Sequence, residues 1–338
     1  PQLIDLLSLS NGFRASRGGT RGTDSGKFRK INMKQIGIIG SINRDTVIDP
    51  DGNVTCGLGG VLYTTLGLAS LGRDGVETWL IGRLGEDIVS AVRALLSDWP
   101  GVRLEGMPVV SAENYHSRIQ YFPDGSKTEL LTGRMRPLGW EDIEPFLGKW
   151  DGLLINFITG FEIAYPTLAR IKENFHRPLV MDVHSLTLGR RESGERFWKK
   201  PEDWREWLRL VDVVQMNEAE AALLGDFRVG DRRALKAFAL SLLDLGPGSV
   251  ALTLGREGVL AASRSEEETK VWRQAAELPE RAVDPTGCGD AFLAALGWGE
   301  VNDWEFSQSV EIASQVAGFK SRFRGMDGFK EIEERAFD

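Results

Sequence analysis

The chain has 338 residues, 42% hydrophobic and 27% charged, with a formal net charge of −8. This is the composition of an ordinary globular body, long enough for one large α/β domain with a small appendage, and no apolar run approaches the ~18 residues of a membrane helix. Residues 1–32 carry +4, which leaves −12 on the remainder, a balance that repels phosphate backbones and argues against a broad nucleic-acid face.

Within those first 32 residues, "NGFRASRGGTRGTDSGKFRK" has no apolar period and reads as disordered. Met33 directly precedes a predicted strand. The segment before it reads as a non-native extension or, alternatively, as an Arg- and Ser-rich transit peptide. The two cysteines, Cys56 and Cys288, stand far apart, which predicts no disulfide framework and a cytoplasmic setting.

"QIGIIGSI" (35–42) reads as a buried parallel strand. "TVID" and "NVTC" flank "PDG" as a hairpin, and "VLYTTLGLASLG" follows with helical spacing, Leu62, Leu66 and Leu68 sharing one side. A strand "ETWLIG" and an amphipathic helix "IVSAVRALLSDW" come next. A second hairpin, "SRIQYF" and "KTELLTG", flanks "PDGS". The two hairpins are expected to pair into a small separate sheet, with segments of about 46–58 and 112–132.

From about residue 150, strand and helix alternate: "DGLLINF", "YPTLARIKENF", "PLVMDVH", "PEDWREWLRL", "VDVVQMN", "EAEAALLG", "GSVALTLG" and a strand pair ending near "VWRQA". The last helices are "AFLAALGWG" and "FSQSVEIASQVAGFKSRF". This order predicts a mostly parallel sheet covered on both faces. Its ligand crevice should lie at the carboxyl ends of the strands. Asp45, Asp182, Asn217, Thr253 and Asp290 are all expected just past strand ends or at loop–helix junctions.

Several familiar motifs fail. "GLGGVL" lacks the third glycine of a dinucleotide fingerprint, and "GSKT" lacks the upstream glycine of a P-loop. The three histidines show no metal spacing, and there is no CxxC or GxSxG. What survives is "DPTGCGDAF" (284–292). Gly287 and Gly289 allow backbone N–H groups to converge at the mouth of a helix, whose dipole and unpaired donors suit a phosphate. Asp290 could accept the proton of an attacking hydroxyl or could simply cap the helix.

These residues resemble the ribokinase-like (PfkB) carbohydrate kinases. The run 284–290 is similar to that family's D-T-x-G-A-G-D signature. "GSINRD" (40–45), "GRLGED" (82–87), "MNEAEA" (216–221) and "TLGREG" (253–258) are similar to further family segments in the same order, over roughly residues 36–325. The resemblance implies a ribokinase-like three-layer sandwich spanning 33–338, with a mostly parallel central sheet and a small β-sheet lid that could pair two subunits into a homodimer. It implies ATP and Mg2+ as cofactors. Asp290 would be the general base, and the backbone of Gly287, Cys288, Gly289 and Asp290 the anion hole. Asn217 and Glu220 would organise Mg2+ through water. Thr253, Gly255, Gly258 and Ser314 would line the nucleotide, and Asp284 would face a monovalent cation. Asn43, Asp45, Gly59, Gly60, Asp182 and His184 would line the acceptor.

The sequence departs from the pattern in four places. Cys288 replaces the usual alanine, and Ser90 stands for a usual glycine. His184 stands where some members have asparagine. In "GGVLYTT", Tyr63 or Thr64 occupies the slot of a sugar-contacting asparagine. The nucleotide side is therefore well kept and the acceptor side altered. The expectation is an ATP-dependent kinase acting on a hydroxyl of a sugar or sugar-like polyol. The alternatives are a nucleoside kinase, with Tyr63 stacking on a base, or a non-catalytic ligand-binding homologue.

Overall fold

The computed structural model describes residues 33–124, 126–277, 279 and 282–335. The expected extension over 1–32 lies outside them. In chain order the strands are β1 (Lys34–Ile39), β2 (Ile42–Ile48), β3 (Val54–Gly60), β4 (Val76–Ile81), β5 (Leu84–Gly85), β6 (Val102–Gly106), β7 (Val109–Val110), β8 (His116–Tyr121), β9 (Lys127–Thr132), β10 (Gly152–Asn156), β11 (Leu179–Asp182), β12 (Leu188–Arg190), β13 (Arg196–Trp198), β14 (Val213–Asn217), β15 (Ser249–Thr253), β16 (Val259–Arg264) and β17 (Thr269–Gln274). The helices are α1 (Leu62–Gly72), α2 (Val89–Leu96), α3 (Trp140–Leu147), α4 (Tyr165–Asn174), α5 (Trp204–Arg209), α6 (Glu218–Gly225), α7 (Arg232–Leu245), α8 (Cys288–Val301), α9 (Phe306–Lys320) and α10 (Phe329–Arg335).

The central sheet runs β17-β16-β15-β14-β11-β10-β1-β4-β6. Its pairs are parallel from β6 to β15, and β16 and β17 add an antiparallel edge. Side chains alternate across the pleat: on β1, Ile36 and Ile38 enter one core, and Ile39 enters the other. The first core is closed by α1, α2, α8, α9 and α10, and the second by α3 to α7. Three layers result, as expected. Among the described residues no helix is long and apolar enough to cross a membrane.

The two hairpins do join. They form the expected small sheet, four-stranded in the order β3-β2-β8-β9, with β2 and β8 parallel across its middle. It begins earlier than expected, because pairing with β3 already starts at Ile42. Asn43 and Asp45 therefore sit inside a strand of the small sheet, not past a body strand. Asp182, Asn217 and Thr253 are the last residues of β11, β14 and β15, as the strand-end expectation requires.

Helix α1 departs from its one-sided reading, since nearly every residue from Leu62 to Leu71 is buried. The cause is close packing on α8. A methyl group added at Gly67 would lie 3.2 Å from Ala294 Cβ, so only a small residue lets the two helices touch. That contact brings the start of α1, carrying Tyr63 and Thr64, beside the start of α8.

Candidate active site at the mouth of helix α8

Helix α8 begins through a left-handed turn. Gly287 is the residue before its first turn, with φ 80°, and no side chain caps the helix there. Asp284 Oδ1 accepts the Thr286 N–H at 2.9 Å and tightens the approach. The Cys288 N–H donates to Pro285 O at 3.2 Å, and Ala291 N–H takes up the regular ladder to Gly287 O. Helix geometry then leaves the Gly289 and Asp290 N–H groups ahead of that ladder. The expected anion hole narrows accordingly, because the Cys288 N–H is already committed. Asp290 lies in the first turn and not at the cap position, which removes the capping interpretation.

Tyr63 explains the glycine at 287. A methyl group there would come within 2.3 Å of the Tyr63 ring. The same ring lies 3.4 Å from a methyl placed at Gly59. Tyr63 is thus buried between the Gly59 end of β3 and the Gly287 loop, with little of its ring open for stacking. Gly289 is open by contrast, its nearest would-be contact being Gln215 Nε2 at 3.8 Å.

Asp290 is held by residues from two other elements. Asn156, at the end of β10, donates through Nδ2 to Asp290 Oδ1 at 2.6 Å and to Thr64 Oγ1 at 2.8 Å. Thr64 and Asp290 thus share the Asn156 amide. Burial raises the Asp290 pKa above the usual carboxylate range, and the His184 charge with the Asn156 and Thr64 hydrogen bonds counters it in part.

A second carboxylate lies one strand away. Gln215 Nε2 donates to Asp182 Oδ2 at 3.1 Å and to Gly289 O at 2.9 Å, tying β11 to the loop. Burial pushes the Asp182 pKa well up, and the charge of Glu220 adds to it. His184 has φ 30°, unusual for a residue with a side chain, and its Nδ1 sits 3.7 Å from Glu220 Oε1. Burial works against its charge, but Glu220, Asp182 and Asp290 outweigh that and lift its pKa to about 9. Its side chain is 46% exposed, so solvent screens these interactions.

Asn217 and Glu220 form a reciprocal cap at the start of α6. Asn217 Oδ1 accepts the Glu220 N–H at 3.0 Å, while Glu220 Oε2 accepts the Asn217 N–H at 2.8 Å and Oε1 accepts from Asn217 Nδ2 at 2.5 Å. The Glu220 carboxylate of this cap is buried. On the next strand Thr253 lies in register with Asn217. Gly255 has φ 57° and open space where a side chain would be, whereas Gly258 packs against the backbone of β17, a methyl there meeting Gln274 O at 2.0 Å. Gly258 thus serves the hairpin. Ser314 is buried with its hydroxyl bonded to Val310 O at 2.9 Å, turned into α9 and away from solvent.

The small sheet supplies Asp45, whose pKa is raised to about 7 by burial, then by Glu129 on β9 and by Asp290. Asp45 and Asp290 therefore lie close enough to repel. Gly59 leaves room for Asp45, since a methyl there would fall 1.8 Å from Asp45 Oδ2. Asn43 is buried with Oδ1 unpartnered, as are Asn156 Oδ1 and Gln215 Oε1. Gly60 has φ 67° and turns β3 into α1. A Gly59→Ala substitution should displace Asp45 and raise KM for the acceptor by about tenfold while leaving KM for the nucleotide near its original value; a change in the nucleotide KM alone contradicts this placement.

Among the described residues, no group of three or more His, Cys, Asp or Glu side chains could hold a metal directly. The mutually repelling Asp182, Glu220 and Asp290 nevertheless suit Mg2+ brought in on a nucleotide's phosphates with its water shell retained. A resident monovalent cation at Asp284 fits poorly, because the buried Lys320 ammonium is electrostatically coupled to that carboxylate.

Sequence reasoning missed Asn156, Gln215, Glu129 and Lys320. Asn156 and Gln215 carry a readable signal, as polar residues at the carboxyl ends of otherwise apolar parallel strands. Glu129 and Lys320 carry none, since each acts through contacts far away in sequence.

Residues 194–327 match the pfkB family carbohydrate kinase. An ATP-dependent 6-phosphofructokinase from Thermoanaerobacterium thermosaccharolyticum is 30% identical over 132 residues, 38% of this chain and 38% of that protein. A cytidine kinase from Thermococcus kodakarensis is 25% identical over 280 residues, 78% of this chain and 87% of that protein. In three dimensions the chain resembles Arabidopsis thaliana ribokinase complexed with ribose and ATP, with a TM-score of 0.69 at 19% identity, covering 89% of this chain and 99% of the other.

Proposed function

We propose that the chain is a kinase of the ribokinase-like (PfkB) type that transfers the γ-phosphoryl group of ATP to a hydroxyl of a sugar-like acceptor, a reading supported by the family match over residues 194–327 and by the shared fold. The observation that carries this reading is Asp290. A carboxylate stands in the first turn of α8, held by Asn156 and raised in pKa by burial. Such a placement is costly for anion binding alone and useful for proton removal next to a phosphate.

Asp290 takes the proton of the attacking hydroxyl. The Gly289 and Asp290 N–H groups, with the α8 dipole, face the oxygens of the transferring group. Asp45 accepts from a neighbouring acceptor hydroxyl and holds the nucleophile in line. The lid excludes water, which would otherwise compete for the phosphoryl group. Bound Mg2+ would neutralise phosphate charge, with Glu220 and Asn217 ordering its water shell. Thr253 and the open side of Gly255 border the nucleotide.

The altered acceptor side keeps a nucleoside acceptor as a second reading, favoured by the cytidine kinase match over 78% of this chain and no longer by Tyr63. ADP release measured with sugars, inositols and nucleosides separates the two. Activity confined to nucleosides would contradict the sugar-like assignment.

The Asn156 contact yields a pH prediction. Its hydrogen bond lowers the Asp290 pKa against the effect of burial, and the base works only when ionised. In Asn156→Leu the carboxyl should hold its proton to higher pH, so the acid limb of the kcat profile should move upward. An unmoved or downward-shifted limb would argue that Asn156 does not tune the base.

A further inference from the structure

The end of α9 buries a lysine. Lys320 has no exposed surface, and its Nζ donates to Phe323 O at 3.2 Å. The ammonium lies 4.8 Å from the Phe323 ring centroid and 5.5 Å from that of Tyr63. The neighbouring Ser321 carbonyl accepts both the Val283 and Asp284 N–H groups, at 2.7 and 3.1 Å, stitching this helix end to the start of the 284–290 loop. Two aromatic faces and a carbonyl all favour the charged form of the lysine. Burial lowers the Lys320 pKa, and the charges of Asp284, Cys288 and Asp290 counter it in part.

We propose that the Lys320 ammonium is a built-in substitute for a monovalent cation, fixing the Asp284–Asp290 loop from behind so that nucleotide binding needs no potassium or sodium. The cation would have to occupy a place beside Asp284 that a covalently attached charge already serves. Lys320 is a positioning residue, acting through the loop and through Tyr63, whose ring abuts Gly287. This inference rests on the kinase reading for its biological purpose, but its test does not require turnover.

The test measures ATP affinity of the full chain by calorimetry, in potassium chloride and in tetramethylammonium chloride at equal ionic strength. The wild type should bind equally in both. Lys320→Met, which keeps the length and packing of the side chain, should bind about tenfold more weakly in tetramethylammonium and recover in potassium, the scale of one charge interaction lost near a bound anion. A saturable potassium requirement in the wild type would overturn the proposal. So would a Lys320→Met variant that is insensitive to the salt and binds as the wild type does. If the variant fails to fold, the wild-type arm alone decides. If ATP binds in neither salt, the kinase reading has failed, and rubidium-soaked crystals still decide the lysine. Anomalous density beside Asp284 in the wild type contradicts it, and density there only in Lys320→Met supports it.

Discussion

In Asp290→Asn, turnover should fall about 10²–10⁴-fold, the scale of losing a general base, while ATP affinity stays close to that of the wild type. The substitution keeps the shape of the side chain. It also keeps the first-turn N–H groups of α8, which belong to the backbone. What it removes is the acceptor for the hydroxyl proton. The amide oxygen of the variant could still accept from Asn156 Nδ2 where Asp290 Oδ1 now does, so the loop should hold its position. Single-turnover rates would measure the chemical step, and calorimetry the binding. Near wild-type turnover would remove Asp290 from the base role. A parallel collapse of ATP affinity would show instead that the residue organises the loop.

Gly287→Ala should damage both stability and rate. The backbone at 287 is left-handed at φ 80°, which costs an ordinary residue about 1–2 kcal/mol. The added methyl would also press into the Tyr63 ring at 2.3 Å, and overpacking of that kind costs about 1–3 kcal/mol. The loop can relieve the clash only by moving the N–H groups that follow it. Turnover should therefore drop by about 10²-fold or more, as when a positioned donor is lost from an anion hole. Denaturant titration and steady-state kinetics would check the two parts. Adding Tyr63→Leu should recover stability more than rate, because it removes the clash and leaves the left-handed strain. Full recovery of both would locate the whole effect in the ring contact.

The layered architecture was legible because parallel strands buried on both faces read as short apolar runs, as in "GLLIN" and "LVMD". The small sheet was legible because two turn signals each sat between extended segments, and both became hairpins. Helix α7 was equally readable, with Leu235, Phe238, Ala239, Leu242 and Leu243 on one face after an Asp231 cap, and was overlooked. Helix α3 is harder to see, being short with Pro145 inside it. At the site, strand-end placement identified Asp182, Asn217 and Thr253. It misplaced Asp45, because "INRD" already belongs to β2 of the small sheet, which only two residues separate from β1. Tyr63 and Ser314 could not be assigned from sequence, since each owes its position to packing: Tyr63 is wedged between Gly59 and Gly287, and Ser314 faces into its own helix. Lys320 was the least visible. Nothing in "AGFKSRF" distinguishes a buried ammonium from a surface lysine, and only the fold brings it near Asp284.

The most direct measurement of the central claim is the fate of a label on the γ-phosphoryl group of ATP, with wild type and Asp290→Asn run side by side against the acceptor panel. The account predicts label in a stable phosphoester of one polyhydroxylated acceptor with the wild type, and almost none with the variant. Label that remains on bound ATP, or is released only as inorganic phosphate across the whole panel, would contradict it.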